Sequence, residues 1–571
     1  MENTKKNGHP TGLWYLFGTE MWERFGYYLM LGIFSLYMID GWNNGGMGFD
    51  AQKKSDIYGT YLGLVYLTPF IGGLLADRIL GYRRSIIIGG LMMSAGYFAL
   101  SLHSETSFYI ALLLIILGNG FFKPNISTLV GNLYSSDEMK DKKDAGYNIF
   151  YMGINIGAFI CNFVAAYMRI NYGWGHAFAA AGVGMLIGVG VFLLGTKHIK
   201  HVDVVKPVQD GDMTTVKILS YTVLPMFAFG VLGYLIPGNF LGSDTNDAFI
   251  IGCLPVIAFF IYLAFTGDAK ESRAIKALLA VFACVILFFA IFHQNGDALT
   301  VWAEDHTDRE MSAGIADVAD QLGMAQIVVN NKIVSAPEAD FKATIDSLRG
   351  VEENMPAVTK KEIKAKSDFS GSISQLEKSR KYFETLPADK VPAEGKDLKL
   401  YSTELYQSMN PFWVVVLTPV VVGFFGWMRR RKREPSTPTK IAIGLVITAL
   451  SALVMVGAVF ATNDMTIKAG SMWLFASYGV ITIGELCLSP MGLSLVSKLS
   501  PPRITALMMG GYFLAISVGN KLSGMLSSLW ETFPQKENFF YLNFGLVLAA
   551  AIILILMLKW LNSVMRENNV Q

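Results

Sequence analysis

Charge is scarce in this chain. Asp, Glu, Lys and Arg make up 16% of its 571 residues, against about a quarter in a typical soluble domain, and the deficit excludes an ordinary globular surface. Neither sign dominates. There are 47 basic and 45 acidic residues, a formal net charge of +2, so nothing in the balance draws the chain to nucleic acid. Cysteine is rarer still: Cys161, Cys253, Cys284 and Cys487 lie far apart, each inside an apolar run. That placement argues against a disulfide framework or zinc site and leaves them as small packing residues. The sequence holds no phosphate-binding loop and no metal-ligand spacing, so no cofactor and no metal are expected.

What is plentiful is apolar surface, at 52% hydrophobic and 13% aromatic residues. Runs bounded by charge or turn clusters give about fourteen spans of bilayer length. Their centres fall near Arg24, Val65, Met92, Leu114, Gly157, Leu186, Phe227, Phe259, Phe288, Thr418, Leu450, Val480, Ser517 and Ile552. The chain therefore reads as an all-α, polytopic membrane protein. Basic residues orient it. With the amino terminus inside, one side collects Arg78, Arg83 and Arg84, then Lys140, Lys142 and Lys143, then Lys197, Lys200, Lys206 and Lys217. The same side collects Lys270, Arg273 and Lys276, the cluster Arg429 to Arg433, and Lys498 with Arg503. That is about twenty basic residues against about five in the other loops, which predicts both termini in the cytoplasm. The first apolar run, preceded by Lys5 and Lys6, is too long and too charged for a cleavable signal. Residues 305–409 are polar and by parity lie outside; the helical spacing of Ile373, Leu376 and Tyr382 predicts a small helical insertion, with no chemistry or partner assigned.

Glu20, Glu23 and Arg24 sit inside the first run, Leu13 to Ile39. At 1.5 Å per residue they lie roughly 10 to 16 Å from the Leu13 end, too deep for all of them to reach headgroups. Each charge costs about 2.5–3.5 kcal/mol at the middle of a membrane helix even on the lenient scale, so compensation is required. Helical spacing supplies it, since positions 20, 23, 24, 27 and 31 share one face. The stripe is either a structural ion pair or a site in a cavity. Two acids beside one base leave a surplus carboxylate able to carry a proton.

Two other lone charges lie at depth. Pro124-Asn-Ile-Ser-Thr-Leu-Val-Gly-Asn-Leu133 and Pro490-Met-Gly-Leu-Ser-Leu-Val-Ser-Lys-Leu499 share one pattern, in the fourth span and in the tenth once the two spans between Lys217 and Thr266 are set aside. The echo predicts two six-helix halves. Lys123 and Glu485 stand just before these prolines, near the midplane, with opposite signs. They either salt-bridge each other or grip the two ends of a zwitterion, or do each in turn.

The motifs resemble those of the proton-dependent oligopeptide transporter family of the major facilitator superfamily, over nearly the whole chain outside 305–409. Glu20-Met-Trp-Glu23-Arg24-Phe25-Gly-Tyr27-Tyr28 is similar to its first-helix signature, and Tyr66 to Arg84 to the loop motif after the second helix. Phe122-Lys123-Pro124-Asn125, Phe150 to Gly157 and Gly484-Glu485-Leu-Cys-Leu-Ser489-Pro490 also match. The resemblance implies two six-helix bundles with an extra helix pair between them and import of di- and tripeptides with protons, by alternating access, across a bacterial inner (plasma) membrane. It implies bounds of 1–200 for the first bundle, 201–267 for the inserted pair and linker, 268–304 for the first helix of the second bundle, and 410–571 for its remainder.

The resemblance further implies Arg24 and Lys123 at the peptide carboxylate, Glu485 at the amine, and Glu20 and Glu23 in proton coupling. Tyr27, Tyr28, Tyr66, Asn155, Gln294, Asn410 and Ser489 would line the pocket. Two departures stand out. Leu31 replaces an arginine of many members, and His293 replaces an acid before Gln294, so both partners of a charged pair between the halves are missing. His293 or Asp297, four residues apart and so expected on one helical face, would then take over part of the gating or proton relay. Gly59 stands where animal members have a histidine, so coupling should lean on Glu20 and Glu23. The same fold carrying nitrate, a peptide-like drug or an amino-acid derivative is the alternative, although Glu485 would repel a purely anionic cargo. A membrane-embedded enzyme or receptor is disfavoured, because no nucleophile and base pair occurs at matching depth.

Overall fold

A computed structural model describes residues 8–136, 139, 142–203, 217, 220–266, 268–356, 359–463, 465–501 and 504–568. Lys5, Lys6, Lys140, Lys206 and Arg503 lie outside the described residues. All fourteen expected centres fall in helices. The first nine are in α1 (Thr11–Ile39), α2 (Ala51–Leu75), α3 (Tyr82–Leu100), α4 (Glu105–Leu133), α5 (Lys143–Tyr172), α6 (Trp174–Ile199), α7 (Val223–Leu235), α8 (Asp244–Thr266) and α9 (Ala269–Phe292). After a short helix α10 (Ala298–Asp305) and the insertion helices α11 (Ala313–Gln321), α12 (Glu338–Asn354) and α13 (Lys360–Glu384), the rest lie in five further helices. These are α14 (Met409–Arg430), α15 (Thr437–Ala461), α16 (Met472–Leu499), α17 (Thr505–Ser528) and α18 (Lys536–Glu567).

Among the described residues ten helices are long and apolar enough to cross a membrane. Of the other four, α1, α3 and α17 have 29, 19 and 24 residues, and α1 owes its lower hydropathy to the buried charges that make it interesting. The helices gather around two apolar cores. One runs from Leu13 to Ile199 through α1–α6; the other runs from Phe249 to Met565 through α8, α9 and α15–α18. Pro124 and Pro490, the two halves of the sequence echo, sit inside α4 and α16. The halves meet where α2 crosses α17. A Cβ on Gly59 would stand 2.9 Å from the Gly524 Cα, and one on Gly524 only 2.3 Å from the Ser55 carbonyl oxygen. Gly59 therefore serves close helix packing, a second reason for this position to lack a side chain.

The helix directions place one set of loops with the termini and the other set with the insertion. The insertion is not purely helical, although its apolar spacing predicts helix. β2 (Gln326–Val329) pairs antiparallel with β3 (Asp397–Leu400), and β1 (Thr307–Asp308) pairs parallel with β4 (Ala469–Gly470). Val328 and Leu400 from the sheet close a small core with Tyr382 and Leu386, while Ile373 is buried and Leu376 half-buried on α13. The β-branched run Ile327-Val-Val is what a strand needs. All four cysteines are free and buried.

Candidate functional site

The stripe on α1 is a built cluster. Arg24 forks onto Glu23 through Nε and through Nη2, the latter donating to Oε1 at 2.6 Å. Its Nε also lies 3.4 Å from Oε1 of Glu20. All three are buried, and Oε2 of Glu20 has no partner. The guanidinium stands over the Tyr27 ring at 4.9 Å and the Tyr28 ring at 5.9 Å. Two acids and one base would leave a net negative charge, and Lys123 from α4 offsets it, lying within electrostatic reach of both glutamates. Lys123 Nζ caps the Tyr66 ring at 4.1 Å, and Tyr66 meets the His293 ring edge to face at 5.7 Å.

The second half supplies the opposite wall. Asn410 Nδ2 donates to Glu485 Oε2 and to Thr482 Oγ1, both at 3.0 Å. Thr482 in turn donates to its own helix at the Tyr478 carbonyl. The field of Glu485 reaches Tyr28 and Tyr66, yet no ion pair joins it to Lys123: Lys123 faces an aromatic ring and Glu485 an amide. Of the two readings of these lone charges, the mutual salt bridge is not made here. By helical rise, Glu20 lies roughly 14 Å from the Thr11 end of its helix, Lys123 about 15 Å from Leu133, and Glu485 about 21 Å from Leu499, so the site is at mid-depth. Ser489 follows one turn after Glu485 and is half-buried. Asn155 is half-buried on α5 and donates to the Tyr151 carbonyl at 3.0 Å. Tyr151 itself is 52% exposed.

Three expected residues are placed differently. His293 and Asp297 do not share a helical face. The α-helix stops at Phe292, His293–Gly296 forms a tight 3-10 turn, and Asp297 is turned out of helical register at φ −125°, ψ −89°. His293 packs on Phe289 and Phe292 beside Tyr66, with Nδ1 unpartnered. Asp297 points to the first half, where it pairs with Lys54 of α2 and accepts from Ser35 Oγ at 3.4 Å. Gln294 is engaged elsewhere, exchanging amide bonds of 2.8 and 3.3 Å with Asn543 of α18.

In place of the charged pair that Leu31 and His293 cannot form, the halves are joined by Lys54 and Asp297, a pair the sequence reading does not find. Lys54 and Asp297 are 4% and 0% exposed. Further ion pairs cross between the halves at the insertion end. Lys521 of α17 meets Asp56 at 2.6 Å, and Arg169 of α5 grips Glu404 at 2.7 and 2.9 Å. Among the described residues no ion pair joins the halves at the terminal end.

Charges of both signs set midway along helices of two bundles, with ion pairs joining the bundles at one end, fit a secondary transporter of the major facilitator type. The chain belongs to the POT family, whose model matches residues 83–325 and 400–543. It is 27% identical to the di-/tripeptide transporter of Lactococcus lactis subsp. lactis (strain IL1403), over 98% of each chain. It is 29% identical to the uncharacterized transporter YclF of Bacillus subtilis (strain 168), over 96% of this chain and 94% of that one. Its fold matches the crystal structure of a mutant peptide transporter POT in complex with alafosfalin, with a TM-score of 0.73 at 27% identity over 98% of this chain and 97% of the other.

Proposed function

We propose that this protein is a proton-coupled symporter that imports di- and tripeptides by alternating access across a bacterial inner membrane, with both termini in the cytoplasm. The observation that carries the reading is the division of charge between the two halves. Arg24 and Lys123 on the first half suit a peptide carboxylate, and Glu485, held by Asn410 on the second half, suits an ammonium. A ligand that touches both walls rewards closure of the halves around it, which is what couples binding to movement. Tyr27, Tyr28 and Tyr66 line the first wall, with Asn155 and Ser489 farther along the opening. Gln294 and Asp297 act in helix packing and in the seal rather than on substrate, and His293 acts as a neighbour that orients Tyr66.

Glu20 and Glu23 carry the proton. The free Oε2 of Glu20 gives it somewhere to sit, and neutralising one acid loosens the hold on Arg24, which frees the guanidinium for the carboxylate of a peptide. One proton entering across 100 mV supplies about 2.3 kcal/mol, enough to drive accumulation of about fifty-fold before any pH gradient is added. The conformation reads as inward-open, because the described ion pairs between the halves gather at the insertion end.

The test is uptake into proteoliposomes of di-, tri- and tetrapeptides under an imposed proton gradient. Accumulation of the first two that collapses with the gradient is expected, and accumulation of a free amino acid or an anion in their place would overturn the reading. Glu23→Gln should retain exchange of peptide between equal pools yet lose uphill uptake. If that variant still concentrates peptide, Glu23 is no part of the coupling.

A further inference from the structure

The family pattern stops at residue 325 and resumes at 400, so the insertion core is an addition that the shared transport chemistry leaves without a task. Both of its ends are rooted in the second half. Its far surface nevertheless reaches the first half, on the loop that joins α1 to α2. Lys378 Nζ lies 3.0 Å from Asp40 Oδ2, Ser370 Oγ donates to the Asn43 carbonyl at 2.7 Å, and Arg349 Nη2 donates to Asn44 Oδ1 at 3.3 Å. Arg349 is itself held in place by Glu352 and Glu377. Asp40 is no loose end, because it also accepts from Trp174 Nε1 at 3.0 Å and so ties the loop to the start of α6.

The same helix anchors itself on the other side. Three residues after Lys378, Lys381 meets Asp305 at 2.6 Å; burial works against its charge, but Asp305 holds its pKa above the ordinary lysine value. Lys468 N–H donates to the Thr385 carbonyl at 2.8 Å, and Tyr382 OH to Asp308 at 3.1 Å. Thus α13 is a strut laid across the mouth of the transporter, firm on the second half and polar on the first. Contacts of the kind it makes to the first half are individually weak because they are partly wet, which suits a joint that must part.

We propose that the 326–399 insertion is a clasp: it holds the outer mouth shut in the inward-open state, and outward opening requires its surface at Arg349, Ser370 and Lys378 to leave the Asp40–Asn44 loop. The inference rests on the alternating-access reading above. It assigns the insertion a task in setting how often the mouth opens rather than in choosing what passes.

The four native cysteines are buried, so spin labels can be directed to Thr106→Cys and Glu531→Cys, which are exposed at the outer ends of the two halves. The full-length protein in nanodiscs, with no peptide and no gradient, gives a distance distribution between them. Lys378→Glu with Ser370→Ala should enlarge the long-distance, outward-open population by about fivefold, in line with the loss of two weak contacts. An unchanged distribution would overturn the proposal. In a second variant, Asn43→Cys and Ser370→Cys joined by a short thiol cross-linker should arrest both the long-distance population and uptake, with recovery on cleaving the linker. Transport at the unlinked rate would be equally fatal. The distance readout needs no substrate, so failure of peptide uptake in the unaltered protein would sink the transport reading while leaving the clasp to be judged on its own.

Discussion

Glu485→Gln should lose at least about thirtyfold in peptide uptake at sub-saturating concentration while the protein still inserts and folds. The Glu485 carboxylate is not committed to Lys123; its partner is the Asn410 amide, at 3.0 Å. An amide in its place can still pair with Asn410, so the fold loses little. A peptide ammonium, however, loses the one group on that wall that carries the opposite charge. Removing one partner of a buried, hydrogen-bonded charge pair costs about 2–5 kcal/mol, or thirtyfold to several thousandfold in binding. The loss should fall on KM for free peptides and should be small for an analogue whose amine is acetylated, which the native protein should already take poorly. Equal losses for both ligands would show that Glu485 serves the conformational cycle and not the amine.

How far such a residue is legible in a sequence depends on whether its reason is local. Glu20, Glu23 and Arg24 announce themselves because charge in an apolar run is expensive on its own terms, and helical spacing alone brings them together. Lys123 and Glu485 are nearly as plain, each placed by a proline echo. The failures have a common cause in chain geometry. The spacing from His293 to Asp297 suggests one helical turn, but Asn295-Gly296 lies between them and is a strong turn signal. The helix ends at Phe292, and the two side chains part. Likewise Lys54 stands 243 residues from Asp297 in sequence, and nothing beside it in the chain marks a partner that only the tertiary fold supplies. The insertion shows both sides of this rule: Ile373 and Tyr382 obey their helical period, while β3 finds β2 only through closure of its small core.

Lys54→Met should leave the outer mouth unable to close. Lys54 and Asp297 are almost fully withdrawn from solvent, and removing one member of such a pair strands the other. Asp297 would retain only the 3.4 Å contact from Ser35 on Oδ1, while its Oδ2 already has no partner. Breaking a buried pair in this way costs about 3–5 kcal/mol. The cost falls only on the closed state, because in the open mouth water can solvate the carboxylate, so the ratio of closed to open should fall by about 150-fold or more. That exceeds the effect expected of the clasp, whose contacts are wetter, and the two should add if they act at separate points of the same seam. Uptake should stop because the inward-open state is no longer reached, yet peptide should still bind from outside. Removing both charges, in Lys54→Met with Asp297→Leu, should restore closure, since an apolar pair of similar volume can replace a buried ion pair at little cost. A double variant that stays as open as the single one would mean that Lys54 and Asp297 seal the mouth through other partners, and Lys521 with Asp56 would then become the pair to test.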